Sequence, residues 1–277
     1  MNIVIVGLGV IGGSYAKALK AAGYEDVYGI DKNEETLKKA VELGIIKAGY
    51  VDGSKCVRNA DLIVLSIYPR LVKDFIEDNK LNFKDGAVIT DATGIKEMFI
   101  KEVIEILPDN VDFVFGHPMA GREKKGIDFS SAEVFRGANY LITVIDRNKE
   151  ENIELIEKIA SEMGFKRIKR ITPDFHDEMI SFTSQLPHAL AVALINADEE
   201  GRDTGSFIGD SYRDLTRIAN INEDLWSELF LGNKHNLIKS IIMFEDELMK
   251  IKMALVHEDK EKLKVLFRES TARREKL

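Results

Sequence analysis

The run Ile3-Val4-Ile5-Val6 leads directly into Gly7-Leu8-Gly9-Val10-Ile11-Gly12-Gly13. Four β-branched residues in a row read as a strand buried on both faces of a parallel sheet. From Ser14 through Leu19, small and apolar residues fall at helical spacing. The glycines therefore occupy a strand-to-helix turn, the setting that gives a G-x-G-x-x-G match its weight as a dinucleotide fingerprint. Gly7 permits the tight turn, Gly9 offers bare backbone to a pyrophosphate, and Gly12 lets helix and strand pack closely. Leu8, Val10 and Ile11 complete the loop, and the helix N-terminus turns unpaired N–H groups and a positive dipole end toward the phosphates.

The second half of the fingerprint is also present. Val27-Tyr28-Gly29-Ile30 reads as a second strand, and Asp31 closes it about twenty residues past the glycines, at the fingerprint spacing. A carboxylate there accepts hydrogen bonds from a ribose 2′-hydroxyl and repels a 2′-phosphate, so the expected cofactor is NAD rather than NADP. Lys32, a cation beside the same site, works against that discrimination.

Composition narrows the function classes. A chain of 277 residues holds one large or two ordinary domains. Its net charge of −8 argues against a nucleic-acid partner and requires a local cluster of cations for any anionic substrate. Cys56 is the only cysteine, which rules out an intrachain disulfide and fits a reducing compartment. The first strand begins at Asn2, leaving no room for a signal peptide, and the apolar stretch 3–16 is shorter than a membrane span and broken by glycines. A cytoplasmic protein is expected, with no membrane and no metal.

Further strand-like runs fall at 62–67, 87–90, 112–116, 139–145 and 166–171, separated by helical stretches at 34–43, 96–106 and 150–163. That alternation predicts a doubly wound parallel sheet with helices on both faces. After Pro173 the pattern is helical throughout, with Met179, Phe182, Leu186, Leu190 and Ala193 on one stripe. Asn222 reads as an N-cap with Glu223 and Asp224 behind it, and Gly232-Asn233 ends that helix. A long helix is expected through about Val256, then a charged helical tail from Lys260 to Leu277. The chain is thus expected to divide into a Rossmann-type domain, residues 1–172, and an all-helical domain, residues 173–277. The apolar faces of the second suggest a homodimer, with a compact monomeric bundle as the alternative.

Ligands in open α/β sheets bind beyond the carboxyl ends of the strands. Ser66 and Tyr68 follow the third strand, Asp91 and Thr93 the fourth, and His117 the fifth. Ser66, Tyr68 and Asp91 are expected to line the cofactor. His117 stands at the mouth of the sheet, where a histidine with a near-neutral pKa can take a proton from an alcohol as it is oxidised.

The segment Gly116-His117-Pro118-Met119-Ala120-Gly121 resembles the signature of the prephenate dehydrogenase family, which includes arogenate and cyclohexadienyl dehydrogenases. Ser184-Gln185-Leu186-Pro187-His188 and Tyr212-Arg213-Asp214-Leu215-Thr216-Arg217-Ile218-Ala219, followed by Trp226, agree with it. The resemblance implies a Rossmann domain followed by a helical dimerisation domain. The reaction it implies is oxidative decarboxylation of prephenate to 4-hydroxyphenylpyruvate with NAD(P) accepting the hydride. His117 would accept the ring hydroxyl's proton, His188 would help hold the substrate, and Arg217 would bind a substrate carboxylate. Arg213 could serve instead or pair with Asp214, and Gly121 would lie near the substrate. Many relatives carry serine where this chain has Gly94, so either Thr93 or a water is expected to orient the catalytic histidine. No room is left for a fused regulatory domain, so any inhibition by tyrosine would act at the active site. Competing readings are a two-domain 3-hydroxyacid or imine dehydrogenase using a Lys or Asp of the helical domain, and a protein that senses NAD without chemistry.

Overall fold

The computed structural model describes residues 1–121 and 124–276. β1 (Ile3–Val6) runs through the glycine turn into α1 (Val10–Ala21), and β2 (Val27–Ile30), α2 (Glu34–Glu42) and β3 (Ala48–Tyr50) follow. The short α3 (Ser54–Val57), β4 (Leu62–Leu65), α4 (Pro69–Asn79), β5 (Val88–Asp91), α5 (Glu97–Ile104) and β6 (Asp112–Phe113) complete a six-stranded sheet. Its order is β3-β2-β1-β4-β5-β6 with every pair parallel. This is the doubly wound Rossmann arrangement, and the strand order reverses at β1 and β4, beside the glycine turn.

The continuous apolar run in β1 has a simple cause. Ile3 and Ile5 pack with Tyr15, Leu19 and Ile156 on one face, whereas Val4 and Val6 pack with Ile63, Val72 and Phe113 on the other. A strand with helices on both sides has no polar face.

The segment 112–116, expected as one strand, is divided. The chain leaves β6 at Phe113 and enters β7 (Phe115–Met119), which pairs antiparallel with β8 (Asn139–Thr143). After α6 (Glu150–Glu162), β9 (Arg167–Ile171) pairs parallel with β8, giving a second sheet of order β7-β8-β9. A side chain at Gly116 would bring its Cβ within 2.2 Å of the Tyr140 hydroxyl and 2.9 Å of the Asp91 carbonyl oxygen. The missing side chain is what lets β7 cross so close to the end of β5. His117 therefore lies within a strand of the second sheet, not in a loop beyond the fifth strand.

From Pro173 the chain is helical. α7 (Pro173–Ile180) carries proline in its first turn, where no N–H is required. A π-helical turn over Ser181–Gln185 joins it to α8 (Leu186–Asn196). Pro187 has no N–H to bond back to the preceding turn, and the wider π turn is how the helix passes it. α9 (Asp210–Thr216), α10 (Glu223–Gly232), α11 (Lys234–Val256) and α12 (Lys260–Arg274) follow. Asn222 caps α10, its side chain accepting from Leu225 N–H. Leu277, the last residue of the expected tail, lies outside the described residues. Among the described residues, no helix is long and apolar enough to cross a membrane.

Candidate active site

The glycine turn has the shape its sequence calls for. Gly7 has φ +84°, and a Cβ there would stand 2.4 Å from the Ser66 carbonyl oxygen. A Cβ on Gly12 would meet the Gly7 carbonyl oxygen at 1.8 Å, so the first turn of α1 can sit against β1 only without one. Around Gly9, by contrast, the Cβ position is open. No side chain caps α1 and no acidic residue lies in its first turn. The Asp31 carboxylate accepts from Leu8 N–H at 2.7 Å and from Asn33 N–H at 2.9 Å, which fixes the end of β2 to the turn.

The far wall of this cradle comes from the loop after β4. Ser66 and Tyr68 are half-buried there. The Tyr68 hydroxyl accepts from Asn222 Nδ2 at 2.9 Å, and Arg70 lies over the Tyr68 ring and pairs with Glu228 of α10. The helical part of the chain is thus tied to the nucleotide-binding part at this rim.

Asp91 and Thr93 do not have the roles expected of them. The Asp91 side chain is fully buried, and Oδ2 accepts from Lys96 Nζ at 2.6 Å, from Thr93 N–H at 2.9 Å and from the Thr93 hydroxyl. Oδ1 accepts from Gly116 N–H at 3.0 Å. Both oxygens are spent inside the protein, so this carboxylate holds strands together instead of lining a cofactor. The Thr93 hydroxyl turns inward to the same cluster, accepting from Lys96 Nζ at 3.0 Å. A buried ammonium and carboxylate compete for it, and they outbid a partly exposed imidazole. Lys96 is wholly buried, which lowers its pKa, while Asp91 and then Asp177 oppose that shift.

Position 94 is where a hydroxyl would reach the histidine. A Cβ on Gly94 would stand 3.7 Å from His117 Nε2 and 3.4 Å from Leu229 of α10, both ordinary contacts. His117 Nε2 therefore faces a space bounded by the loop after β5 and by α10.

The other ring nitrogen has a partner that the sequence did not suggest. His117 Nδ1 lies 2.9 Å from His176 Nε2, and His176 Nδ1 lies 2.7 Å from Asp177 Oδ1. Asp177 also accepts from the backbone N–H groups of Lys96, at 2.9 Å, and Glu97, at 2.8 Å, so it caps α5 from another part of the chain. Burial pushes the His117 pKa well below the ordinary histidine value, and the neighbours His176 and Lys96 add to the effect. Burial does the same to His176, with Lys96 again adding, and it raises Asp177 against the pull of its two backbone donors. His176 and Asp177 stand in the first turns of an amphipathic helix, where polar residues are ordinary. The one local signal is a His-Asp pair just past the helix-opening Pro173.

His188 is half-buried, with Nδ1 2.9 Å from the Ser184 carbonyl oxygen and its ring stacked on Trp226 at 3.7 Å between centroids. Arg217 is exposed just past the end of α9. Arg213 pairs with Asp210, not with Asp214. Gly121 is exposed, next to residues outside the described part of the chain.

Residues 15–169 match the family model for the nucleotide-binding domain of prephenate dehydrogenase, and residues 172–269 match that for its dimerization domain. The cyclohexadienyl dehydrogenase of Zymomonas mobilis is 30% identical over 97% of this chain and 93% of its own length. The prephenate dehydrogenase of Bacillus subtilis is 27% identical over 95% of this chain and 72% of its own. The crystal structure of prephenate dehydrogenase from Aquifex aeolicus with hydroxyphenyl propionate and NAD+ superposes with a TM-score of 0.90 at 31% identity, covering 99% of this chain and 98% of that one.

The two neutral histidines have a consequence for stability. Below the ordinary value of 6.5 the unfolded chain protonates both, while the folded chain, with both pKa values lowered, does not. The unfolded state then binds more protons, so stability is lost as pH falls below about 6.5, by at most about 1.4 kcal/mol per pH unit for each histidine. The raised pKa of Asp177 acts in the opposite sense, but only in the carboxylate range. Urea unfolding at pH 7.5 and 5.5 should show the loss, and His176→Gln should reduce it. An equal loss in the variant would mean that His176 is charged in the fold.

Proposed function

Because the chain belongs to the prephenate dehydrogenase family, we propose that it oxidises and decarboxylates prephenate to 4-hydroxyphenylpyruvate with NAD as hydride acceptor. The observation that carries this reading is His117, neutral, with Nε2 facing the space between the loop after β5 and α10.

The residues present fit the cofactor. The open position at Gly9, the close approach at Gly12 and the uncapped start of α1 form a cradle for a pyrophosphate. Asp31 at the end of β2 favours a 2′-hydroxyl over a 2′-phosphate. Leu8, Val10, Ile11, Ser66 and Tyr68 would complete the walls. When bound, the dinucleotide supplies the hydride acceptor.

The protein's own part is to hold the ring and manage one proton. His117 Nε2 accepts the proton of the ring hydroxyl as hydride departs from the same carbon, and the ring carboxylate leaves as CO2. Aromatisation of the ring drives the step. Arg217 would pair with a substrate carboxylate through its planar fork, and His188, backed by Trp226, would support the substrate with Gly121 nearby. Residues 1–172 then serve the nucleotide, and residues 173–277 serve substrate and dimer. An arogenate or dual-specificity enzyme is the second reading, favoured by the cyclohexadienyl dehydrogenase relative.

The surface of the helical domain supports a homodimer formed through it. Ile238, Ile242, Met249, Leu255 and Val256 of α11 are each about half exposed, more apolar side chain than a monomer's helix usually leaves in water. An acidic dimer of this kind is expected in the cytoplasm, with a small-molecule substrate and no nucleic acid.

Three measurements test the reading. With prephenate and NAD, His117→Asn should lower kcat by roughly 10²–10⁴ fold, the scale of a lost general base, with a smaller change in KM. Unchanged kcat would remove His117 from the chemistry. Arg217→Ala and Arg217→Lys should both raise KM for prephenate steeply, by roughly 2–5 kcal/mol in binding, and leave NAD affinity nearly intact. Loss of NAD binding as well would mark Arg217 as structural. Sedimentation should return twice the 31.2 kDa chain mass, and a single-chain mass would reject the dimer.

A further inference from the structure

We infer that His176 and Asp177 are positioning residues for His117: together they place its proton on Nδ1 and leave Nε2 as the base. The inference rests on the reading of His117 as the proton acceptor.

The hydrogen bonds fix the protons one after another. Both Asp177 oxygens already accept backbone N–H groups, Oδ1 from Lys96 and Oδ2 from Glu97, so the carboxylate is an acceptor toward His176. His176 Nδ1, 2.7 Å from Oδ1, is then the donor. A neutral imidazole carries one proton, so His176 Nε2 has the lone pair. His117 Nδ1, 2.9 Å away, must donate to it, and His117 Nε2 is left unprotonated. That is the nitrogen facing the position a Gly94 side chain would take. The lowered pKa values of both histidines agree with two neutral rings.

The same chain helps once His117 has taken a proton on Nε2. The imidazolium keeps its Nδ1–H toward His176, and the charge is drawn toward the Asp177 carboxylate through that ring. Other charges face the pair: Lys96, from the start of α5, disfavours a cation at either histidine, and Asp91 offsets Lys96. Asp177 is thus the anion on the far side of the relay. The arrangement has the logic of a base oriented by a buried carboxylate, with a second imidazole between the two.

The test combines a spectrum with kinetics. Nitrogen-15 NMR of the histidines in the intact protein, assigned by difference against His117→Asn and His176→Gln, should show both His117 and His176 protonated at Nδ1. In Asp177→Asn, the amide oxygen held by Lys96 N–H still accepts from His176 Nδ1, so both tautomers should be kept while the negative charge is lost. Turnover of prephenate should fall by roughly 10–10³ fold in Asp177→Asn and His176→Gln, mostly in kcat, with NAD affinity kept. The acid limb of kcat/KM should shift in His176→Gln, because His176 is one of the neighbours that set the proton affinity of His117. Wild-type His117 protonated at Nε2 would overturn the relay, as would variants with normal kcat, or losses that follow melting temperature while the acid limb stays in place. If the wild-type tautomers are as stated but prephenate is not turned over, the functional reading fails and the relay stands.

Discussion

A closed circuit of hydrogen bonds runs through the fully buried Lys96, and the placement of the site depends on it. The Lys96 ammonium meets Asp91 Oδ2 at 2.6 Å, with the Thr93 carbonyl oxygen and the Thr93 hydroxyl each at 3.0 Å, so its three protons have three acceptors. The backbone N–H of the same residue donates to Asp177, which holds His176, which holds His117. The other Asp91 oxygen accepts from Gly116, the residue before His117, and closes the loop. The backbone of the histidine is therefore set by one carboxylate and its ring by another, with one lysine joining the two.

An isolated buried ammonium costs several kcal/mol, and a partner removed from a buried pair leaves the other charge stranded. The circuit is tolerable only when complete. That makes it a device for specificity more than for stability: β5, β7, α5 and α7 must arrive together or the charges remain unpaired. Asp177 and Lys96 do this across the change from sheet to helix at Pro173, where the sequence shows no hydrophobic pattern joining the two parts. The Arg70–Glu228 and Tyr68–Asn222 contacts tie the opposite rim. Between these two attachments lie the glycine turn and His117.

How much of this was legible follows from the range of each interaction. The glycine turn was readable because its causes are local: a buried strand, a helix start, and an acid at fixed spacing. The long helices of the second half were readable from their period. The split between β6 and β7 was not, because it is set by Gly116 passing the Tyr140 hydroxyl, a contact between residues far apart in sequence. Adjacency in the chain makes Thr93, or a water, the expected partner of His117, but the Thr93 hydroxyl answers to Lys96 and Asp91, which are stronger partners in a dry interior. His176 and Asp177 are illegible for the converse reason. Polar residues in the first turns of a helix look solvated, and nothing local reveals that both are buried.

Acidic residues are unevenly placed at the helix starts of this acidic chain. α2, α5, α6, α7, α10 and α12 each carry one or two acidic residues in the first turn, which neutralise the positive end of the helix dipole. α1, α3, α4, α8 and α11 carry none, and of these α1 and α4 begin at the glycine turn and just past Tyr68. A net charge of −8 would repel a dinucleotide's phosphates if it were spread evenly. Leaving these two helix starts without acids keeps their positive dipole ends at the rim of the cradle unneutralised. The anionic substrate needs a different solution, since its carboxylates must be held beside His117, where Lys96 is already neutralised by Asp91. In the proposed reading a guanidinium from the helical half would meet that need, which would make the domain boundary the place where the reaction is assembled.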